Sequence, residues 1–88
     1  VEGLTEGRIV HFVLDNGEHR PAIVVNVWRV NGISEDGEVI SCSPENGCCN
    51  LQLFTDGFND SMPNTVWKTS IVYSADLLPG TWHWIEKA

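Results

Sequence analysis

The segment from Gly7 to Trp28, GRIVHFVLDNGEHRPAIVVNVW, constrains the fold more than any other part of the chain. Two runs rich in β-branched residues, 8–14 and 20–28, flank Asp15-Asn16-Gly17-Glu18. Asn and Gly tolerate the positive φ angles of a tight turn, and β-branched side chains suit a pleated surface. The segment therefore predicts an antiparallel hairpin. In the first run Ile9, His11 and Val13 share one face, and Val10, Phe12 and Leu14 the other. Both faces carry apolar residues, so both are expected to be covered, as in a barrel wall or an oligomer seam. Pro21 lacks an amide donor and belongs at a strand start or on an edge.

Three more strands are expected at 49–55, 66–73 and 81–85. A long, polar, Gly-rich excursion at about 30–48, with a small hairpin around Glu35-Asp36-Gly37, separates the second strand from the third. An Asx- and Gly-rich loop at 56–64, able to bond its own backbone, leads into the fourth. A turn at 75–80 leads into the fifth. No extended helical period, repeat or low-complexity segment intervenes. Five short strands with polar connections predict an all-β domain: a small, SH3-like, five-stranded, partly open barrel, with a two-sheet β-roll as the alternative. Eighty-eight residues allow one domain spanning 1–88, and the thin burial of so small a core favours a homo-oligomer.

Twelve acidic against five basic residues give a formal charge of −7. Arg8, Arg20, Arg29, Lys68 and Lys87 are scattered, so no basic stripe forms and direct nucleic-acid binding is not expected. No stretch reads as a membrane span or signal peptide. Cys42, Cys48 and Cys49 are an odd number in one loop region. Reduced thiols in an intracellular protein are the expectation, with a Cys42–Cys48 bridge as the oxidised alternative. No Cys-x-x-Cys pattern occurs and the histidines lie far from the cysteines in sequence, so no metal and no cofactor is expected.

The residues singled out for chemistry are polar groups on this scaffold. Pro21 fixes the backbone beside Arg20, placing a guanidinium at the hairpin mouth where it can clamp a phosphate or carboxylate. A salt bridge to Glu18 or to an acid of the 56–60 segment is the competing role. Asp56, Gly57, Asn59 and Asp60 form a compact loop of the kind that carries function on a rigid scaffold. Trp67, beside Thr69 and Ser70, is the expected ligand wall, since an exposed indole stacks on a base or sugar. His11 and His83 complete the expected ligand-binding set, although a lone histidine in an apolar strand is commonly a core residue. His19, in the turn, is expected to be solvated. No nucleophile–base signature or phosphate loop is present, so the chain is not expected to be an enzyme.

Two resemblances add to this reading. Gly7-x-Ile9-Val10 and Gly17-Glu18-x-Arg20-Pro21-Ala22-Ile23-Val24-Val25 resemble the opening hairpin of the MazF/PemK toxin ribonucleases, which implies an SH3-like barrel and points to Arg20 as an RNA-contacting residue. It covers about a quarter of the chain. More broadly, Gly7-Arg8-Ile9-Val10-His11, Arg20-Pro21-Ala22, Asn50-Leu51-Gln52-Leu53-Phe54-x-Asp56-Gly57-x-Asn59-Asp60, Trp67-x-Thr69-Ser70 and Gly80-Thr81-Trp82-His83-Trp84 resemble a family of small, uncharacterised tailed-phage and prophage proteins. That resemblance implies a viral protein in the cytoplasm of the infected bacterial host, or in the virion. The expected function is a non-enzymatic binding protein that sequesters a small, anionic, nucleotide-like ligand as a counter-defence factor. The alternatives are a virion or assembly component bound to a protein partner, and an acidic inhibitor of a host nucleic-acid enzyme. A contact with a membrane is not expected.

Overall fold

The computed structural model describes residues 1–29 and 43–86. Most of the expected excursion at 30–48, including its small hairpin, lies outside the described residues. The rest is all-β: strands β1 (Ile9–Val13), β2 (His19–Val27), β3 (Cys49–Phe54), β4 (Thr65–Ile71) and β5 (Trp82–His83) form one antiparallel sheet in the order β4-β3-β2-β1-β5. The first hairpin forms as the sequence predicts. Gly17 donates to the Leu14 carbonyl at 2.9 Å with φ at 86°, and Asn16 Oδ1 accepts the Glu18 amide at 2.8 Å. A β-carbon at Gly17 would strain this left-handed turn.

The sheet curls back on itself. After β4 the chain bridges in parallel to β5 at Tyr73–Trp82, with Ser74 donating to Trp82 and Trp82 to Val72, each at 3.0 Å. Two register shifts assist the curl, one in β2 beside Val25 and one where β3 residues 49–51 face β4 residues 68–71. Bulges of this kind raise local twist. At the second, Ser70 takes φ 58° and its amide donates to Asn50 Oδ1 at 3.1 Å. The same oxygen accepts the Trp28 indole N–H at 3.3 Å, so one side chain pins both neighbouring strands.

Pairing register assigns the two faces. Val10 pairs with Ala22, Phe12 with Arg20 and with Trp82, Val24 with Leu51, and Leu53 with Val66. These residues face inward, and Val10, Ala22, Val24, Leu51, Leu53 and Trp82 are essentially sealed from solvent. Trp82 is the keystone: fully buried, it donates its indole N–H to the Gly47 carbonyl at 2.7 Å and sits edge-on to Tyr73 and Trp84, each with centroids 5.0 Å away. Cys49 joins this core as a free thiol, and burial pushes its pKa up to about 12. Cys48 is disulfide-bonded, which corrects the expectation that all three thiols stay reduced. Cys48, just before β3, is as fully sealed from solvent as Cys49. Among the described residues, no helix is long and apolar enough to cross a membrane.

Candidate metal centre

The outward face of the β5-β1-β2 edge carries the chain's three histidines. Register places His11 directly across from His83, and His19 across from Val13. Alternation then turns all three imidazoles to the same side, with His11 and His19 diagonal neighbours across the hairpin. Their ring centroids are 6.3 Å apart for His11–His19, 5.8 Å for His11–His83 and 4.7 Å for His19–His83.

The chain leaving β5 brings a carboxylate into the middle of this tripod. Glu86 Oε2 lies 2.5 Å from His11 Nδ1, Glu86 Oε1 lies 2.5 Å from His19 Nδ1, and Oε1 also contacts His83 Nε2. Partial burial works to raise the Glu86 pKa. Hydrogen bonds from its own amide and from His83, His11 and His19 outweigh that and hold it at about 2. Glu86 is therefore ionised across the neutral range.

One ligand atom from each of the four residues lies within 4.8 Å of every other. A tetrahedral ion with bonds of roughly 2.0–2.2 Å separates its donors by roughly 3.3 Å, so small side-chain shifts bring these atoms to coordinating distance. Three imidazole nitrogens with one carboxylate oxygen are the donors of a borderline divalent ion such as Zn2+. Mg2+ and Ca2+ prefer oxygen cages, and Cu(I) prefers sulfur. The supports differ in rigidity. The imidazoles stand on three hydrogen-bonded strands, whereas Glu86 lies beyond the last strand. The exposures differ too: the side chain of His83 is 5 % exposed, against 24 % for His11, 29 % for His19 and 39 % for Glu86. His83 Nδ1 is buried without a hydrogen-bond partner. Packing and the contact at Nε2 therefore orient that ring.

The ligand-binding residues expected from the sequence fall into separate groups: Arg20 gathers with the 56–60 loop, His11 with His83, and Trp67, Thr69 and Ser70 stand on β4. Arg20 faces inward opposite Phe12 and is engaged by a carboxylate: Nε and Nη2 donate to Asp60 Oδ2 and Oδ1, both at 2.7 Å. Glu18 lies 3.4 Å from Nη1. The Asp60 side chain is fully covered, and the Arg20 hydrogen bonds hold its pKa well below the usual carboxylate range. The competing salt-bridge role is the one found, so the guanidinium is not free to clamp an anion.

The 56–64 loop satisfies itself. Asp60 also accepts the Asp56 amide at 2.8 Å and the Asn59 side-chain amide at 3.1 Å. Asp56 caps the short helix α1 (Gly57–Asp60) by accepting the Asn59 amide at 3.3 Å. Asn64 Oδ1 takes the Gly57 amide at 2.9 Å, and a β-carbon at Gly57 would collide with it. The amides of Asp56, Gly57, Asn59 and Asp60 are thus already occupied.

Trp67 pairs with Gln52 on the outward face, opposite to Arg20, and is 51 % exposed. Thr69 and Ser70 are exposed at the β4 bulge. Of the expected set, His11 and His83 alone come together in the tripod. His19 and Glu86 complete it: His19, expected to be solvated in the turn, is instead a paired and partly covered residue of β2, and Glu86 is not among the residues singled out from the sequence. The signals were present: His19 follows the turn at the spacing that returns it beside His11, and Glu86 stands three residues after His83.

Comparison with protein-family models, curated proteins and solved structures finds no match to this chain.

Proposed function

We propose that this chain is a transition-metal-binding domain that holds one Zn2+-class ion through His11 Nδ1, His19 Nδ1, His83 Nε2 and Glu86. The single observation that carries this reading is the convergence of three imidazoles from three strands on one carboxylate. A hydrophobic strand face has no structural need for three histidines. The small anion expected from the sequence fits the same reading with a different cation: the metal supplies the positive charge that Arg20, spent on Asp60, does not. The proposal is independent of the viral setting and host location that the phage resemblance implies.

Equilibrium dialysis against buffered Zn2+, followed by elemental analysis, tests it. The expected result is one equivalent of zinc per chain, lost in His11→Gln and His19→Gln and retained in a distant surface variant such as Phe58→Ser. Sub-stoichiometric zinc in folded wild type, or full loading of the histidine variants, overturns it.

A further inference from the structure

The four donors are not equally enclosed, and that asymmetry bears on what the centre does. This inference rests on the metal-binding reading above. A closed structural site surrounds its ion with buried ligands, whereas a reactive or ligand-binding site keeps one position open. Here His83 forms a buried floor, while the side chains of His11, His19 and Glu86 are 24 to 39 % exposed. Beyond the tripod the outward face continues into open surface: Pro21, directly across from His11, is exposed, and Ile9, two residues along β1, is 52 % exposed. Glu86 is the most exposed of the four donors.

The described residues offer four ligand atoms, which fill a tetrahedral shell. A further ligand therefore enters by raising the ion to five-coordination or by displacing Glu86, the one donor beyond the last strand. The charge balance chooses the fifth ligand. Three neutral imidazoles leave the ion's charge untouched and one carboxylate cancels half of it, so the loaded centre carries a net +1. Local attraction at coordinating distance exceeds the repulsion from the distant acidic side chains, which water and salt screen.

We infer that the centre keeps an exchangeable coordination position facing solvent, and that it takes an anionic donor: a carboxylate or phosphate oxygen of a small ligand. The rigid tripod fixes the ion, and Glu86, on the segment beyond β5, is the donor with the most freedom to shift as the ligand enters. In the absence of a ligand, water fills the position.

Cobalt substitution tests this on the intact chain. Co2+ is loaded in place of zinc, the visible bands are recorded, and azide, acetate and inorganic phosphate are titrated in turn. The expected result is a saturable shift of the bands by at least one of these anions, with cobalt still bound after gel filtration. Bands that stay unchanged through saturating anion, with cobalt retained, overturn the open position and leave the metal site standing. Loss of cobalt on anion addition also overturns it, because the anion then competes for the ion rather than joining it. Absence of any protein-bound cobalt bands removes the metal reading itself, and this inference with it. Addition of chloride at matched ionic strength separates coordination from screening: a shift reproduced by chloride at the same concentration counts against a selective site.

Discussion

Metal loading should change the stability of this domain by a predictable amount. The four donors lie on β1, β2, β5 and the segment beyond β5, so no preformed site exists in the unfolded chain, where His19 and His83 are separated by most of the sequence. Binding free energy then appears as folding free energy. At free zinc one hundredfold above the dissociation constant, the folded state gains about 2.7 kcal/mol. At roughly 2 cal/mol/K per residue, a domain of this length unfolds with an entropy of about 0.2 kcal/mol/K, so the gain converts to a rise of about 15 °C in the unfolding midpoint. The assay is thermal unfolding followed by tryptophan fluorescence, in EDTA and at buffered free Zn2+, with Mg2+ at equal concentration as control. His11→Gln and His19→Gln are the informative variants, because both side chains are partly exposed and neither belongs to the packed core. They should unfold close to wild type in EDTA and lose most of the zinc increment. Equal midpoints for wild type with and without zinc would refute the reasoning. So would an undiminished increment in both variants, since that places the bound ion elsewhere.

Three further outcomes are expected. Trp82→Phe keeps most of the buried area but leaves the Gly47 carbonyl without its 2.7 Å donor, so urea denaturation should show a loss of about 1–3 kcal/mol; an unchanged midpoint would remove Trp82 as the keystone. Hydrogen bonds from Arg20 lower the Asp60 pKa below its ordinary 3.8, and those from Arg29 lower Glu6 from 4.5 to about 2. Both contributions are complete above the ordinary values and are lost as pH falls through the depressed ones, so urea midpoints should decline below about pH 4, and Asp60→Asn should flatten that decline; an Asn variant with the wild-type acid limb counts against the Arg20–Asp60 pair. Cys49 is buried and its thiol is pushed up to about 12, so iodoacetamide at mildly alkaline pH should label it only in urea; rapid labelling of folded protein would contradict its burial.

Local chemistry made the β scaffold legible, and long-range pairing hid much of the site. The first two strands follow from β-branched runs on either side of an Asn-Gly turn. They are found at Ile9–Val13 and His19–Val27, within a residue or so of expectation. Strand β5 is shorter than the expected 81–85, because only Trp82 and His83 pair with β1 before the chain bends toward the tripod. The Arg20–Asp60 pair was a weighed alternative. What decides for it is that Arg20 shares the inward face with Phe12, where an unpaired guanidinium would be costly and the covered carboxylate of the 56–64 loop lies within reach. Trp67 could not join it, since even spacing along paired strands puts the indole on the outward face with Gln52 and Ile23.

The histidine tripod was only half visible for a related reason. Alternation alone puts His11 outward with Ile9 and Val13, and turns His83 away from Trp82 and Trp84. Whether those two outward faces meet depends on β1 pairing with β5 across most of the chain, and no local pattern encodes that pairing. His19 looked like a turn residue because the acidic segment Asp15-Asn16-Gly17-Glu18 runs straight into it. The observed register makes it the first paired residue of β2, across from Val13. That single register position separates a solvated turn histidine from a ligand. A one-residue slip of the hairpin would send His19 to the inward face beside Phe12 and leave His11 and His83 with Glu86 alone. An insertion of one alanine between Gly17 and Glu18 is therefore a severe test of the whole arrangement. The hairpin can absorb it as a longer loop that keeps Val13 opposite His19, and zinc binding should then survive. If the chain instead shifts register, zinc should be lost together with the Arg20–Asp60 pair, because the same slip turns both side chains over. Loss of one without the other, read from zinc stoichiometry and the acid limb of stability, would show that the two faces of β2 are not set by a common register.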